Sequence, residues 1–320
     1  MNFKSEILMS MLLSIVISLI LGKFIIKILR QKHIGQEIRD DGPKSHYSKA
    51  GTPTMGGIIF IISTLITVIV FRLFNSEVLL AIYGMLAFGA IGFIDDFMKL
   101  VMKRSLGLNE KQKLVLQLLF SIIACFLIKQ VNPNFTKQVI PFFHKTVDFG
   151  IITYPFLIFV MMGTSNATNL TDGLDGLATS VSIPVFIATS IILYNLNSTA
   201  SIFSIIFAGS LLGFLVYNSN PAKVFMGDTG SMALGGALVM IMAMYGLSFY
   251  LIILGFVYMI EVLSVIIQMT SYKLRNKKRV FLMSPIHHHY ELKGYKEQKI
   301  VSTFMVVSVI TSLITLIDIL

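Results

Sequence analysis

Ten apolar runs alternate with polar segments along the 320 residues, at about 7–29, 57–74, 78–94, 114–131, 150–165, 174–194, 199–217, 232–245, 247–269 and 300–318. A helix needs about 20 apolar residues to cross a bilayer. The pattern therefore predicts an all-α, polytopic integral membrane protein with about ten transmembrane helices, forming a single domain over 1–320. The fifth and eighth runs are short, and only Tyr245 and Gly246 divide the eighth from the ninth. The stretch 132–149 has the turn residues and mixed polarity of a short hairpin or surface helix, and no chemistry is assigned to it. There is no heptad, internal repeat or low-complexity tract. The first run is too long for the apolar core of a signal peptide, and no small-residue cleavage site follows it.

Composition narrows the class further. Hydrophobic residues make up 55% of the chain and charged residues 13%, with a mean hydropathy of +0.81. These values exclude a soluble globular enzyme, a disordered chain and a disulfide scaffold. The one cysteine, Cys125, lies in an apolar run and reads as a packing residue. A net charge of +10 would suggest nucleic acid in a soluble protein. Here the basic residues flank apolar runs, so topology explains them and no nucleic-acid partner is expected. With the N-terminus outside, the loops 30–56, 95–113, 163–173, 218–231 and 270–299 lie inside and hold 19 of the 26 Lys and Arg. Both termini then fall on the outer face, in a multi-pass plasma-membrane protein whose polar loops face the cytoplasm.

Eleven of the 16 carboxylates and five of the six histidines also fall inside. Orientation does not require acids there, so they need another cause. DDGPKSHYSKAGTPTMGG, Asp40 to Gly57, mixes acids, bases and hydroxyls before a helix start. It reads either as an anion site on helix amides or as a solvated loop with Thr52 or Thr54 as cap. GFIDDFMK, Gly92 to Lys99, sets two adjacent carboxylates at a membrane boundary, an expensive placement. On a helix they point about 100° apart, so one could face a metal or phosphate while the other meets Lys99 or Lys111. NATNLTDGLDGLA repeats Asn166, Asn169, Asp172 and Asp175 at every third residue, which lines one face of a helical turn.

Two more stretches follow. In YNSNPAKVFMGDTGSMALGG, Asp228 sits among small residues in an oxygen-rich turn suited to Mg²⁺. Phe225, three residues earlier, reads as a ring for stacking or as a membrane anchor. FLMSPIHHHYELKGY carries His287, His288 and His289 beside a basic run. Adjacent histidines rarely close a tetrahedral zinc site, so phosphate contacts fit better. Glu261 falls inside the ninth run with no partner evident.

In their order and spacing these five stretches resemble the polyprenyl-phosphate N-acetylhexosamine-1-phosphate transferase superfamily. Within it they are most similar to the branch that transfers phospho-N-acetylmuramoyl-pentapeptide. The resemblance runs from about Arg39 to Tyr295. It implies transfer of that group from UDP to undecaprenyl phosphate with release of UMP, the first membrane step of peptidoglycan synthesis, with Mg²⁺ as cofactor. It implies that Asp228 binds the metal, that Asp95 and Asp96 are an essential pair with Asp95 acting on the lipid phosphate, and that His287 is catalytic near the phosphate path. By the same resemblance, Asp175 and Phe225 would hold the uracil. Asn169, Asp172, Asn218, Lys49 and Lys111 would surround the nucleotide and pyrophosphate, and His288 and His289 would contact substrate. A homodimer and a bent ninth helix are also implied.

The chemistry is consistent with this placement. A lipid phosphate and a nucleotide diphosphate must meet at the inner boundary, so charge neutralisation and in-line positioning are the main catalytic tasks. Two other readings differ in what they require. A relative using UDP-N-acetylglucosamine would share the acidic motifs. A nucleotide-sugar or anion transporter would need polar residues deep in several spans and often two similar halves; the runs hold mainly Glu261, and no halves repeat.

Overall fold

A computed structural model describes residues 3–31, 49, 51–100, 102 and 107–320. The charged part of the first inner loop, 32–48, including Asp40 and Asp41, lies outside the described residues. The elements in chain order are α1 (Phe3–Gln31), α2 (Gly57–Val70), α3 (Ser76–Leu100), α4 (Glu110–Val131), β1 (Lys137–Ile140), β2 (Lys145–Asp148), α5 (Thr153–Thr171), α6 (Leu177–Asn195), α7 (Ala200–Asn218), α8 (Gly227–Met244), α9 (Leu251–Leu254), α10 (Phe256–Leu274), α11 (Ile286–Leu292) and α12 (Glu297–Ile319). Among the described residues nine helices are long and apolar enough to cross a membrane. The second predicted span is shorter than expected. α2 has 14 residues, about 21 Å at 1.5 Å per residue, because the chain turns at Phe71 and Arg72.

Every apolar run coincides with a helix, but the helices outrun the apolar residues. α3 continues through Asp95, Asp96 and Lys99, α5 through Asn169, and α8 begins at Gly227. Backbone hydrogen bonding does not stop where the side chains become polar, so residues expected in loops sit on rigid helix ends. The ninth run is divided, with a 3₁₀ turn at Ser248–Tyr250, then α9, then a break at Gly255 before α10. The stretch 132–149 is a hairpin, with β1 and β2 antiparallel and Lys137 opposite Asp148.

α6, α7 and α8 form the buried centre, with 78%, 83% and 89% of their spans inside the protein, whereas α1, α4 and α12 are 28% buried. α8 lies hard against α3 and α2 because glycines leave room for backbone. A Cβ at Gly92 would stand 2.0 Å from the Asp228 carbonyl oxygen, and one at Gly57 would stand 2.2 Å from Gly230 Cα. Small residues are what let membrane helices approach this closely. The contact places the start of α8 beside the end of α3, and thus Asp228 beside Asp95 and Asp96.

Both readings of the helix start after the first inner loop are overturned. The start of α2 has no side-chain cap from Thr52 or Thr54, and its amides do not offer an anion site. The Gly56 and Gly57 N–H groups donate to the carbonyls of Phe225 and Met226, at 2.8 and 2.9 Å. Phe225 N–H in turn donates to the Pro53 carbonyl at 2.8 Å. Segments 53–57 and 225–226 are thus stitched together, and backbone acceptors use the donors that a phosphate would need.

Candidate active site

Three groups of side chains meet at one end of the bundle. The first is built from α3, α4, α5 and α8. Oxygens of Asp95, Asp96 and Asp228 all lie within 4.8 Å of one another. The two adjacent carboxylates do different things, as their divergence on a helix requires. Asp96 is buried and turned onto the first turn of α8. Its Oδ2 accepts from Thr229 N–H at 2.9 Å and Thr229 Oγ1 at 2.7 Å, and its Oδ1 accepts from Asp228 N–H at 3.3 Å. It therefore satisfies orphan amides at a helix start and places a negative charge at the positive end of the helix. Asp95 faces the other way. Its Oδ1 accepts from Leu108 N–H at 2.8 Å, and its Oδ2 lies 2.5 Å from Lys99 Nζ and 2.9 Å from Lys113 Nζ.

Asp228 completes the group. Asn169 Nδ2 donates to its Oδ1 at 3.0 Å, and Lys113 Nζ donates to its Oδ2 at 2.7 Å. Lys99 stands 3.7 Å from the same oxygen. Asn169 is itself fixed by a 2.9 Å hydrogen bond from Nδ2 to Ser231 Oγ. The set fits a hard divalent cation. All donors are oxygen, and Asp95 Oδ2 accepts no hydrogen bond of ordinary geometry despite its burial, with the Lys99 and Lys113 ammonium groups set against it. Asp95 and Asp228 each have an oxygen that faces side-chain ammonium groups and could exchange them for a metal ion, whereas those of Asp96 are held by α8.

Lys111, expected near the pyrophosphate, is exposed on α4, and the α4 lysine at the carboxylates is Lys113. Two helical positions are about 200° apart, so the two cannot face one site. A signal was present in the sequence. Lys113 shares a stripe with Gln117, Ser121, Ala124 and Ile128, the inward face of α4, and the two polar members of that stripe mark it as facing protein.

The second group surrounds Asp175. Its Oδ1 pairs with Lys49 Nζ at 2.7 Å, and its Oδ2 accepts from Asn220 Nδ2 at 3.2 Å and Ala222 N–H at 3.0 Å. Glu297, which sequence reasoning left unused, pairs with Lys49 at 2.6 Å and accepts from Asp175 N–H at 2.6 Å. Burial pulls the Lys49 ammonium down, but its hydrogen bonds to Asp175 and Glu297 outweigh that and hold it above the usual lysine range. Asn218 is buried beneath this group. Its Nδ2 donates to the Val224 carbonyl at 3.1 Å, and its Oδ1 accepts from Thr179 at 2.6 Å. It thereby tethers the 219–224 loop, on which the half-buried Phe225 follows.

The third group answers the question of Glu261. Its Oε2 lies 3.0 Å from His287 Nδ1, and both side chains are fully buried. The other imidazole nitrogen, Nε2, has no hydrogen-bond partner and points at Gly173, where an added Cβ would stand 2.1 Å away. The other two histidines diverge. His288 Nδ1 meets Glu291 Oε2 at 2.7 Å, and His289 Nδ1 accepts from Leu282 N–H at 3.1 Å. The three imidazoles engage three different partners.

One segment joins the groups. Asn169 reaches Asp228, Gly173 abuts His287 and Asp175 holds Lys49. Between them Asp172 ends α5. Burial first, then the charges of Asp228, Asp96 and Asp175, push its carboxyl well above the usual range.

Comparison with known proteins gives the same assignment. Residues 78–247 match Glycosyl transferase family 4, and residues 49–61 match Phospho-N-acetylmuramoyl-pentapeptide-transferase signature 1. The chain is 49% identical over 313 residues to the phospho-N-acetylmuramoyl-pentapeptide-transferase of Clostridium novyi, covering 97% of this chain and 96% of the relative. It is 46% identical over 306 residues to that of Caldanaerobacter subterraneus, covering 95% and 96%, and 45% identical over 308 residues to that of Clostridium perfringens, covering 95% and 96%. The matched family region runs from α3 to the turn after α8 and so contains the carboxylates, Asn169 and Asp175, while the signature begins at Lys49. The carboxylate group and the Lys49–Asp175 pair thus fall within matched segments, while Glu261, His287 and Glu297 lie beyond them, and by its near-full-length identity to these relatives the chain belongs to the phospho-N-acetylmuramoyl-pentapeptide-transferases of glycosyl transferase family 4.

Proposed function

We infer that this membrane transferase moves phospho-N-acetylmuramoyl-pentapeptide from its UDP carrier to undecaprenyl phosphate, giving UMP and a lipid-linked sugar diphosphate for peptidoglycan synthesis. The observation that carries this reading is the grouping of three carboxylates with two ammonium groups at one helix end, beside the Lys49–Asp175 pair and the His287 imidazole. The excess of Lys and Arg in the loops at that end supports a cytoplasmic site in the cell membrane.

A lipid phosphate oxygen forms a bond to the phosphorus that carries the sugar, and the bond from that phosphorus to the UMP oxygen breaks. One pyrophosphate linkage replaces another, so the protein's work is to align two anions and offset their charge. Asp228 and Asp95 would hold Mg²⁺, which when bound would neutralise pyrophosphate charge. Asn169 and Asp96 fix Asp228 from two sides. Lys99 and Lys113 supply positive charge toward phosphoryl oxygens, and Asp175 with Phe225 receives the uracil. His287 Nε2, oriented by Glu261, faces the segment between the uracil and carboxylate groups and contacts the phosphate path there. Direct attack is favoured over a phospho-enzyme, because a carboxylate held by Asn169 on one oxygen and by ammonium groups on the other is a weak nucleophile.

The test is incubation of the purified protein with undecaprenyl phosphate, Mg²⁺ and either UDP-N-acetylmuramoyl-pentapeptide or UDP-N-acetylglucosamine, with UMP release measured. Turnover with the muramoyl donor alone is expected. Comparable kcat/KM values for the two donors would reduce the assignment to the broader superfamily reaction.

A further inference from the structure

Lys113 occupies a place that the transfer reaction alone does not explain. Its ammonium bridges two carboxylates contributed by different helices, 2.9 Å from Asp95 Oδ2 and 2.7 Å from Asp228 Oδ2. Those oxygens belong to the two carboxylates, on α3 and α8, that would hold Mg²⁺ in the reading above. Lys99 is placed differently. It is the i,i+4 partner of Asp95 on the same helix and stands 3.7 Å from Asp228, so it holds Asp95 tightly and Asp228 only loosely, whereas Lys113 is within hydrogen-bonding distance of both.

We propose that Lys113 is a resident counter-cation of this site, which holds Asp95 and Asp228 together until a divalent ion takes their oxygens and then turns to the phosphoryl groups of the donor. The inference rests on the reading of the site given above and adds a residue that the sequence motifs passed over. Mg²⁺ binds carboxylate oxygen at about 2.0–2.1 Å. With the ammonium still in place on the same oxygens, two cations would stand only about 3–4 Å apart in a poorly screened setting, a strongly repulsive arrangement. One must leave, and Lys113 is built to do so. Its four-carbon stem is flexible, and its side chain retains 23% exposure at the mouth of the site. Without a resident cation, Asp95, Asp96 and Asp228 would repel one another across less than 5 Å.

A competitor tethered to the protein weakens apparent metal affinity. Removing it should therefore tighten metal binding while impairing catalysis, the opposite of the effect of deleting a ligand. Mn²⁺ binding to the detergent-solubilised full chain, followed by electron paramagnetic resonance without substrate, reads this directly. Lys113→Met should bind Mn²⁺ about tenfold or more tightly than the parent and lose most UMP release. Lys111→Met, which removes the same charge two residues away on the exposed face, should shift affinity less than about twofold. Lys113→Gln, one atom shorter but still a hydrogen-bond donor and uncharged, serves if the methionine variant does not fold. Unchanged or weaker binding in the Lys113 variants overturns the proposal, as does equal tightening in Lys111→Met or an absence of Mn²⁺ binding in both parent and variant. Failure of the parent to release UMP from any donor would sink the functional reading and leave the metal-binding comparison standing.

Discussion

The two ends of α3 carry the same chemical group in two kinds of employment. At its start, Glu77 Oε2 accepts from Ser198 Oγ, Thr199 N–H and Thr199 Oγ1 at 2.8–3.0 Å. Nineteen residues along, about 28 Å away, Asp96 does the same for the start of α8, but its neighbour Asp95 meets only one amide and two ammonium groups. Asp318 repeats the first pattern at the far end, accepting from Tyr250 at 2.6 Å and Phe142 N–H at 2.9 Å and so tying α12 to the hairpin. Carboxylates saturated by neutral donors are joints. Carboxylates faced by mobile cations keep oxygens that can change partner, and only those are poised for chemistry.

The sharpest test of this division removes charge at constant volume. Asp228→Asn and Asp95→Asn should each lower UMP release by about 10³-fold or more, with the thermal midpoint in detergent held or raised. Near-normal turnover in either would remove that residue from the site. Asp96→Asn should fall between the classes. Its amide leaves Thr229 short of an acceptor, so turnover should drop about 100-fold through a misplaced Asp228 and the melting temperature should fall as well. A variant as stable as the parent would show that Asp96 is not a joint. Glu261→Gln should cost about 10–100-fold, the usual penalty for losing the partner that orients a functional imidazole. The loss should fall on kcat while the apparent metal affinity stays near the parent's; a parent-like kcat would mean that Glu261 serves packing alone. Glu77→Gln and Asp318→Asn should leave kcat/KM within about twofold and cost stability of about 1–3 kcal/mol each. A large loss of turnover from either would erase the distinction between the ends.

Much of this was legible in the sequence, and the failures have physical causes. The ten runs are where the helices are, because a bilayer allows few alternatives to a helix of apolar residues. The three-residue spacing from Asn166 to Asp175 pointed to one helical face, but α5 ends at Thr171, so Asn166 and Asn169 lie on the helix while Asp175 lies beyond it and turns to Lys49. What the runs could not show is where helices end, since polar residues continue a helix as readily as they end it, and so Asp95, Asn169 and Asp228 are on helices. The choice of Lys111 over Lys113 followed motif position and overlooked the facing stripe on α4. Glu297 and the pairing of Glu261 with His287 depend on contacts across more than 100 and about 26 residues of chain, which no local pattern encodes.

The glycine contacts of α8 have a consequence for biogenesis. α8 has a mean hydropathy of 1.3 against 2.4 for α1, and it carries Asp228 at its entrance. Its backbone is shaped to meet α2 and α3, which are synthesised first. Such a segment gains little from lipid and much from earlier helices, so its partition out of the translocon should depend on them. In a glycosylation-mapping host, α8 alone should integrate poorly. With residues 1–226 ahead of it, it should integrate well, and Gly92→Leu, which fills the space against Asp228, should abolish that help. Equal integration in all three settings would show that α8 enters the bilayer on its own apolarity.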